Sequence, residues 1–287
     1  MSASVSSLPL QERALRALRS LPPLSPILHR VIASLAHEDV SFAKVAELIE
    51  IDIVLTGNIL QLVNSPLYST RGSVSSVRHA ISILGVNKLR NAVLGVSASQ
   101  LWGSSKTPPD WSMRGFNQHS VSVAILADLL SQHLPAEHAA GAFVAGLFHD
   151  LGLLLIAVGL PMQYKQISMS CQTEPGGAAE HELEVLGMTH ADLSAEALGV
   201  WNLPSPIRTA VRYHMRPELE PTHGSAIALS RIVHAADGYV SAMNPQFCKL
   251  EGAVPGSEAL DCLGLGEQVT GVLREFENEL MAIQPYF

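Results

Sequence analysis

The sequence predicts an all-α fold, and three observations support this prediction. Apolar residues recur at helical spacing through most of the chain, as in residues 25–38, where Ile27, Val31, Ile32 and Leu35 share one face. Few runs alternate with a period of two, and aromatic residues, which are enriched in strands, make up only 5% of the sequence. Hydrophobic residues make up 47% of the 287 residues, which is enough for a large buried core.

The amino-terminal part of the chain is predicted to contain several short helices. After residues 25–38 come SFAKVAELIEID and DIVLTGNILQLVNSP, and the latter ends at Asn64-Ser65-Pro66. Two more helices are predicted in SSVRHAISILG and VNKLRNAVLGVSASQLW, with Gly85 between them. Residues 103–110, GSSKTPPD, have the composition of a linker. The predicted organisation is therefore two helical lobes, residues 1–103 and residues 111–287.

The second lobe is predicted to be a succession of helices. They cover about residues 111–133, 136–158, 161–171, 177–186, 190–200, 205–215, 224–243 and 266–282. The segment from Ala139 to Leu160 is about as long as a membrane span, but His149 and Asp150 would lie at its centre. A charged residue there costs about 2.5–3.5 kcal/mol. We therefore predict a buried helix of a soluble protein, with no membrane partner.

Charge and cysteine content restrict the partners and the compartment. The net charge of −8 argues against a surface that grips nucleic acid, and residues 53–65 of a superficial helix-turn-helix contain no Lys or Arg, so DNA is not expected as a partner. The densest basic stretch contains Arg71, Arg78, Lys88 and Arg90, and is either a solvated face or a docking surface for an acidic partner or a nucleotide. Three cysteines without C-x-x-C spacing are predicted to be ordinary thiols of a reducing, cytoplasmic compartment.

Six histidines and aspartates form a candidate metal site. Each interrupts an apolar or small-residue face of a predicted helix, or lies at a helix end, and they are His119, His149, Asp150, His190, His214 and Asp237. Inward-facing His and carboxylate side chains from several helices build metal sites in helical bundles. Imidazole nitrogens mixed with carboxylates suit iron, manganese, zinc or nickel better than calcium. A hydrogen-bonded core cluster without metal is the alternative.

These residues also carry a resemblance to a known family. The order of one His, the pair His149-Asp150 and a later Asp resembles the HD superfamily of metal-dependent phosphohydrolases, and His190 and His214 stand where HD-GYP phosphodiesterases have further histidine ligands. The longer segments LPPLSPILHRVIA, VNSPLYSTRGSVSSVRHAISILGVNKLRNAVL, FVAGLFHDLGLLLI and MTHADLSAEALGVWNLPSPIRTAVRYH are similar to the HDOD (HD-related output domain) family, over about residues 15–240. This resemblance implies a two-lobed helical architecture with an HD-like core in the second lobe.

The departures from the catalytic relatives shape the predicted function. Those enzymes read HDxGK, whereas this chain reads HDLGL with Leu153 at the lysine position, and the GYP segment is missing. A leucine cannot neutralise a phosphate oxygen or donate a proton. The resemblance therefore implies a bacterial regulatory output module that acts through protein partners in a signalling pathway, without catalysis and with one or two metal ions or a vestigial site.

Two other functions stay open at this point. A metal-dependent phosphohydrolase acting on a nucleotide or cyclic dinucleotide would use the six ligands to lower the pKa of a bound water. A redox or oxygen sensor with bound iron would explain why ligands are kept while the lysine is lost.

An acidic stretch precedes His190 and is predicted to be a solvated helix; it contains Glu180, Glu182 and Glu184. The family resemblance also implies a glutamate near the cleft just before the G-x-x-H segment.

Overall fold

Helices make up all the regular secondary structure in the described part of the chain. The computed structural model describes residues 9–18, 28, 30, 46–47, 49–65, 68, 74–103, 105–221, 226–243 and 256–283. A single isolated β-bridge, between Ala136 and Ile227, is the β-type pairing found there. The predicted all-α class is therefore confirmed.

Twelve α-helices with complete bounds lie in these residues. They are α1 (Leu10–Leu18), α2 (Ile53–Val63), α3 (Val77–Trp102), α4 (Met113–Gln132), α5 (Ala142–Phe148), α6 (Leu151–Gly159), α7 (Pro161–Thr173), α8 (Ala178–Leu186), α9 (His190–Val200), α10 (Ser205–Tyr213), α11 (Leu229–Met243) and α12 (Gln268–Ile283). Short 3-10 turns occur at Ala139–Gly141, Pro217–Leu219 and Gly256–Leu263. Helix α11 begins later than residue 224, and the other helices after residue 110 follow the predicted ranges closely except at residues 136–158.

The start and end of α2 and the interruption of α3 agree with the predictions. The Asp52 carboxylate accepts from the backbone N–H groups of Val54 and Leu55, which caps the start of α2. Asn64 follows the helix, and its amide binds both backbone groups of Val74. Gly85 interrupts α3 with φ 78° and ψ 163°, a conformation that favours glycine, so the predicted separation of two helices there is confirmed.

The prediction of one continuous helix over residues 136–158 is wrong. The segment consists of the 3-10 turn Ala139–Gly141, then α5, then α6, and Asp150 has non-helical dihedral angles of φ −98° and ψ 11°. The hydroxyl of Ser194 on α9 accounts for the break. It accepts from the Gly152 N–H at 2.7 Å and donates to the His149 carbonyl at 2.8 Å. A distant side chain therefore satisfies two backbone groups that a continuous helix would pair locally.

The apolar segment that contains this break is a core element. Ala139–Gly159 has the length and composition of a membrane span, but 89% of its most apolar window is buried inside the fold. Burial of this kind is typical of the core segment of a soluble protein, which agrees with the interpretation made from His149 and Asp150.

Close helix packing surrounds the break. Helix α4 packs on α5, α11 and α12, while α6 packs on α9 and α1. Gly146 allows α5 to pack closely on α4, since a Cβ there would lie 2.8 Å from the Ala124 Cα. Gly152 allows α6 to approach α9, because its Cβ would lie 2.0 Å from the His190 carbonyl oxygen. These two glycines let the chain between α5 and α6 sit at the centre of the fold.

The cysteines differ from the prediction of three ordinary thiols. Cys262 is a free, exposed thiol, as predicted. Cys171, half-buried on α7, is disulfide-bonded, and Cys248 lies outside the described residues. The prediction is therefore wrong for Cys171, because spacing along the chain does not reveal which distant thiol the fold brings near.

Candidate metal centre

All six predicted site residues converge at the centre of the helical bundle. His119 comes from α4 and Asp237 from α11, while His149 and Asp150 form the turn between α5 and α6. His190 is the first residue of α9, and His214 directly follows α10. The six side chains are at most 8% exposed. The break after α5 lets His149 and Asp150 face one cluster, which neighbours on a regular helix could not do.

Four of the six residues form a first group of donor atoms. The His119 Nε2 lies 3.1 Å from Asp237 Oδ1, 3.5 Å from Asp150 Oδ2 and 3.3 Å from His149 Nε2. His149 Nε2 is in turn 3.4 Å from Asp150 Oδ2 and 3.7 Å from Asp237 Oδ1. We call these four residues the first position.

The other carboxylate oxygen of Asp150 faces a second group. Its Oδ1 lies 3.1 Å from His190 Nε2 and 3.9 Å from His214 Nε2. The His214 ring also stands edge-on to His149, with 5.0 Å between the ring centroids. We call Asp150, His190 and His214 the second position. Asp150 belongs to both positions, one oxygen to each.

Hydrogen bonds on the outer side of the rings orient these histidines. The Nδ1 of His149 lies 2.7 Å from the Gly146 carbonyl, and the Nδ1 of His214 lies 2.7 Å from the Val211 carbonyl. A carbonyl oxygen only accepts, so each Nδ1 carries the proton and donates it. In the neutral rings, Nε2 therefore presents its lone pair to the centre of the cluster, which is the state that binds a metal.

Burial and neighbouring charges shift the pKa values of the His214 and His149 rings in opposite directions. Burial lowers the pKa of the His214 imidazole to about 3, and His149 and His190 add to the lowering, so this ring is neutral near pH 7. Burial opposes charge on His149, but Asp150 and Asp237 outweigh it and raise the pKa of that ring. Burial also opposes charge on Asp237, yet the neighbouring His119 and His149 hold the pKa of this carboxyl well below its usual range. The aspartates are therefore ionised donors.

The residues fit a transition-metal ion. Two ligand atoms that each lie about 2.1 Å from one ion are about 3.0–3.4 Å apart in tetrahedral or octahedral geometry, close to the separations in the first position. The His214 Nε2 is buried and has no hydrogen-bond partner. Its lone pair faces an ionised Asp150 oxygen, and an intervening cation would satisfy both. Nitrogen and oxygen donors of this kind suit iron, manganese, zinc or nickel.

Three supporting residues were missed or misplaced by the sequence reasoning. Glu182 on α8 is fully buried and binds His190, whereas Glu180 and Glu184 are exposed as a solvated helix requires. Ser241 donates to Asp237 Oδ1 at 3.0 Å, and Ser194 holds the turn before α6. The G-x-x-H spacing was the available signal for Glu182, but nothing local marks either serine.

The described part of the chain brings no Lys or Arg into an ion pair with the cluster. The ion pairs of Asp150, Asp237 and Glu182 there are all with histidines. Leu153 is half-buried on α6 and packs against the hydrophobic core. The position at which the catalytic relatives are expected to have a lysine therefore contributes packing and no charge.

The helical fold and its buried histidine–aspartate cluster define an HD-type helical domain. The model of the HDOD domain family matches residues 21–217, which is more than half of the chain. The protein belongs to the HDOD domain family.

Known proteins of similar sequence and structure agree with this assignment. An uncharacterised protein of Treponema pallidum (strain Nichols) is 24% identical over 207 residues, which cover 68% of this chain and 37% of that protein. The chain thus spans well under half the length of this relative. The crystal structure of an HDOD domain protein of unknown function from Geobacter sulfurreducens has a TM-score of 0.76 at 22% identity, and the match covers 98% of this chain and 97% of that one.

Two further crystal structures share the fold. A protein of Marinobacter aquaeolei VT8, provisionally named a signal transduction protein, has a TM-score of 0.73 at 22% identity, with 93% of this chain and 60% of that chain covered. One of Shewanella amazonensis SB2B, provisionally named a phosphohydrolase, has a TM-score of 0.71 at 21% identity, with 96% and 97% covered. At these identities the similarity establishes the fold.

Proposed function

We propose that this HDOD protein is a metal-binding, non-catalytic output module of a signalling pathway. The observation that carries the proposal is a complete set of inward-facing ligands without a cationic helper. The first position has two imidazoles and two carboxylates within 3.1–3.7 Å of one another in the pairs described above. A metal held there ties α4 and α11 to the turn between α5 and α6. We expect one ion in the first position and a second in the second position.

Burial and charge both disfavour hydrolysis. The six side chains expose at most 8% of their surface, so a bulky phosphodiester has little access to the ligand atoms. Stabilising the charge that develops on a transferring phosphoryl group requires a cation aimed at it. Leu153 packs into the core instead. The metal then acts by holding helices in one arrangement, which protein partners recognise.

The lobes give this mechanism a structural basis. We propose that residues 1–103 and 111–287 form the two lobes, joined through residues 103–110, with α1 crossing to pack on the second. Ala14 and Ala17 of α1 lie against Gly159, at the end of the helix that begins next to Asp150. Metal occupancy can therefore bias the packing of an amino-terminal helix. A nucleotide or a partner protein that recognises this arrangement would read the metal state.

Metal content and turnover together test the proposal. Protein purified without a nickel column is analysed for metals, and then assayed for hydrolysis of bis(p-nitrophenyl) phosphate and of a cyclic dinucleotide with added Mn²⁺ or Fe²⁺. We expect stoichiometric transition metal, its loss in Asp150→Ala, its retention in the exposed control Asp261→Ala, and no turnover. A wild-type protein that takes up no metal from Mn²⁺, Fe²⁺ or Zn²⁺ would refute the proposal.

The alternative is a metal-dependent phosphohydrolase. It is favoured by one feature, the bridging placement of Asp150 between two ligand groups, since two-metal sites are common in phosphoryl-transfer enzymes. The same assay separates the two functions. Turnover that requires metal and disappears in Asp150→Ala but not in Asp261→Ala would establish the enzyme and overturn the non-catalytic module.

The partner is sought with the same variants. Metal-loaded wild type and Asp150→Ala serve as bait in lysate of the native host, and proteins retained only by the wild type are identified. The proposal predicts at least one protein whose retention depends on metal. Equal retention by both forms would contradict metal-dependent signalling.

A further inference from the structure

We propose that Glu182 is the positioning residue of the second position, where it holds His190 so that its Nε2 stays directed at Asp150. This inference rests on the proposed metal site and deepens it. The Nδ1 of His190 lies 2.7 Å from Glu182 Oε1, while the backbone N–H of His190 donates to Glu182 Oε2 at 2.7 Å. On the opposite side of the ring, Nε2 lies 3.1 Å from Asp150 Oδ1.

The two carboxylate oxygens fix both the ring and the backbone. Because one oxygen binds the ring and the other binds the amide of the same residue, rotation of the imidazole would break a bond at an unchanged backbone. A carboxylate beside Nδ1 accepts the hydrogen bond from that nitrogen and keeps its proton there. When a metal ion takes the place of the proton on Nε2, the lone pair of Nε2 is therefore directed at the ion, on the side of Asp150 and His214. Both oxygens of Glu182 are occupied by His190, so Glu182 acts on a ligand and is not itself one.

Helix capping does not account for this contact. Helix α9 already has a complete capping box, in which Thr189 and Asp192 satisfy each other's backbone N–H groups. Glu182 is fully buried, and burying a carboxylate costs several kcal/mol unless it is paired. A neutral glutamine would be the less costly residue if the N–H group of His190 were the only target. The charge of Glu182 is explained by the imidazole that it faces.

The local chain geometry brings the two residues together. Helix α8 ends at Leu186 and is followed by Gly187, whose φ of 72° is a left-handed conformation that favours glycine. Helix α9 starts three residues later at His190. This tight turn folds α9 back so that Glu182, eight residues earlier, reaches both the ring and the amide. The spacing of the G-x-x-H segment is therefore explained by this turn, which brings His190 next to Glu182.

The test measures the two positions separately. Apo wild type, Glu182→Gln and the matched control Glu184→Gln are titrated with Co²⁺, and binding is followed by calorimetry and by the visible absorption of bound Co²⁺. Glu184 lies on the same helix, and 75% of its side chain is exposed. We expect two ions in the wild type and in Glu184→Gln. In Glu182→Gln the second dissociation constant should rise about 10–100-fold while the first is unchanged.

A double-mutant cycle distinguishes positioning from a general effect on folding. His190→Ala should lose the second ion, and adding Glu182→Gln to it should leave the one remaining dissociation constant unchanged, because Glu182 acts through His190. Should Glu182→Gln not fold, Glu182→Asp replaces it, since its shorter carboxylate reaches only one of the two N–H groups and predicts the same selective loss.

The outcomes separate this inference from the proposed function. Two ions with unchanged constants in Glu182→Gln would overturn the positioning role and leave the metal site standing. A single ion in the wild type would overturn the second position while leaving the first. No ion in the wild type would refute both proposals.

Discussion

Gly152 and His190 approach so closely that no side chain fits between them. A Cβ on Gly152 would lie 2.0 Å from the carbonyl oxygen of His190 and 2.9 Å from its Cα. Both neighbours are backbone atoms, so the contact cannot be relieved by a rotamer change. The start of α6 and the start of α9 therefore meet at a fixed distance, and this contact sets the separation of Asp150 from His190.

Gly152→Ala should consequently displace one helix from the other. We expect the free energy of unfolding to fall by at least about 3 kcal/mol, the upper end for overpacked cores, because backbone must move. Metal content should fall as well, since His190 moves with α9. Chemical denaturation and elemental analysis measure the two effects.

A glycine with open surroundings provides the control. Gly271 lies on α12, and a Cβ added to it would meet no atom within 4 Å. Gly271→Ala should raise the free energy of unfolding by up to about 1 kcal/mol, because alanine is the better helix former. If the two substitutions had equal effects, the close approach of α6 to α9 would be contradicted.

Ser194→Ala should loosen the turn that presents His149 and Asp150. The substitution removes an acceptor from the Gly152 N–H and a donor from the His149 carbonyl, and both groups are buried. Each unsatisfied group costs about 1–3 kcal/mol, so for two groups we expect a loss of about 2–6 kcal/mol in unfolding free energy, measured by urea denaturation. We also expect weaker metal binding, measured by calorimetry.

Ser99→Ala is the matched control for this change. The Ser99 hydroxyl donates to the Gly95 carbonyl within α3, and Ser99 is distant in sequence from the histidine–aspartate cluster. Its substitution by alanine leaves no backbone N–H without an acceptor. Its unfolding free energy should change by less than about 1 kcal/mol. Wild-type metal affinity in Ser194→Ala would show that Ser194 is dispensable for the turn.

Hydrophobic periodicity predicted the fold class and most helix bounds after residue 110, since each helix carries its own apolar face. It could not predict the break after His149, because the cause is a hydroxyl 45 residues away. The composition of AFVAGLF and LGLLLIAVG is apolar on both sides of the break. Local sequence therefore indicates one helix where tertiary hydrogen bonds make two.

Local sequence identified the six candidate ligands but not Glu182, which holds one of them in place. The six ligands were identified because each places a polar group on an apolar face, a local signal. Glu182 lies in the acidic sequence EHELE, in which a buried and an exposed glutamate look alike. Its burial depends on the turn at Gly187 and on the position of α9, neither of which composition records. Convergence itself is a property of the packing of α4, α5, α9 and α11.

Bound metal should stabilise the folded protein. A ligand that binds only the native state adds about 2.7 kcal/mol at a free concentration 100 times its dissociation constant. Chelation by EDTA should therefore lower the Tm of metal-loaded wild type, followed by differential scanning calorimetry. His119→Ala, which removes a ligand that contacts Asp237 at 3.1 Å, should show a smaller Tm response to EDTA than the wild type, because only the ion of the second position remains. An equal EDTA response in both proteins would contradict the assignment of His119 to the first position.

Asp128 on α4 should make stability depend on pH in the mildly acidic range. Burial raises the pKa of its carboxyl to about 6, although Arg90 opposes the shift, and its Oδ2 accepts from Asn91 and Gln132. The folded state therefore binds the proton more tightly than the unfolded state, whose pKa is near 3.9. The stability that Asp128 gains from this tighter proton binding is complete below about pH 4 and is lost as the pH rises through about 6.

The variant Asp128→Asn tests this pH dependence, because its amide oxygen can accept both hydrogen bonds without carrying a charge. Relative to the wild type, this variant should gain about 1–2 kcal/mol in unfolding free energy between pH 4 and pH 7.5, measured by urea denaturation at each pH. A difference between the two proteins that stays constant across this range would contradict the raised pKa of Asp128.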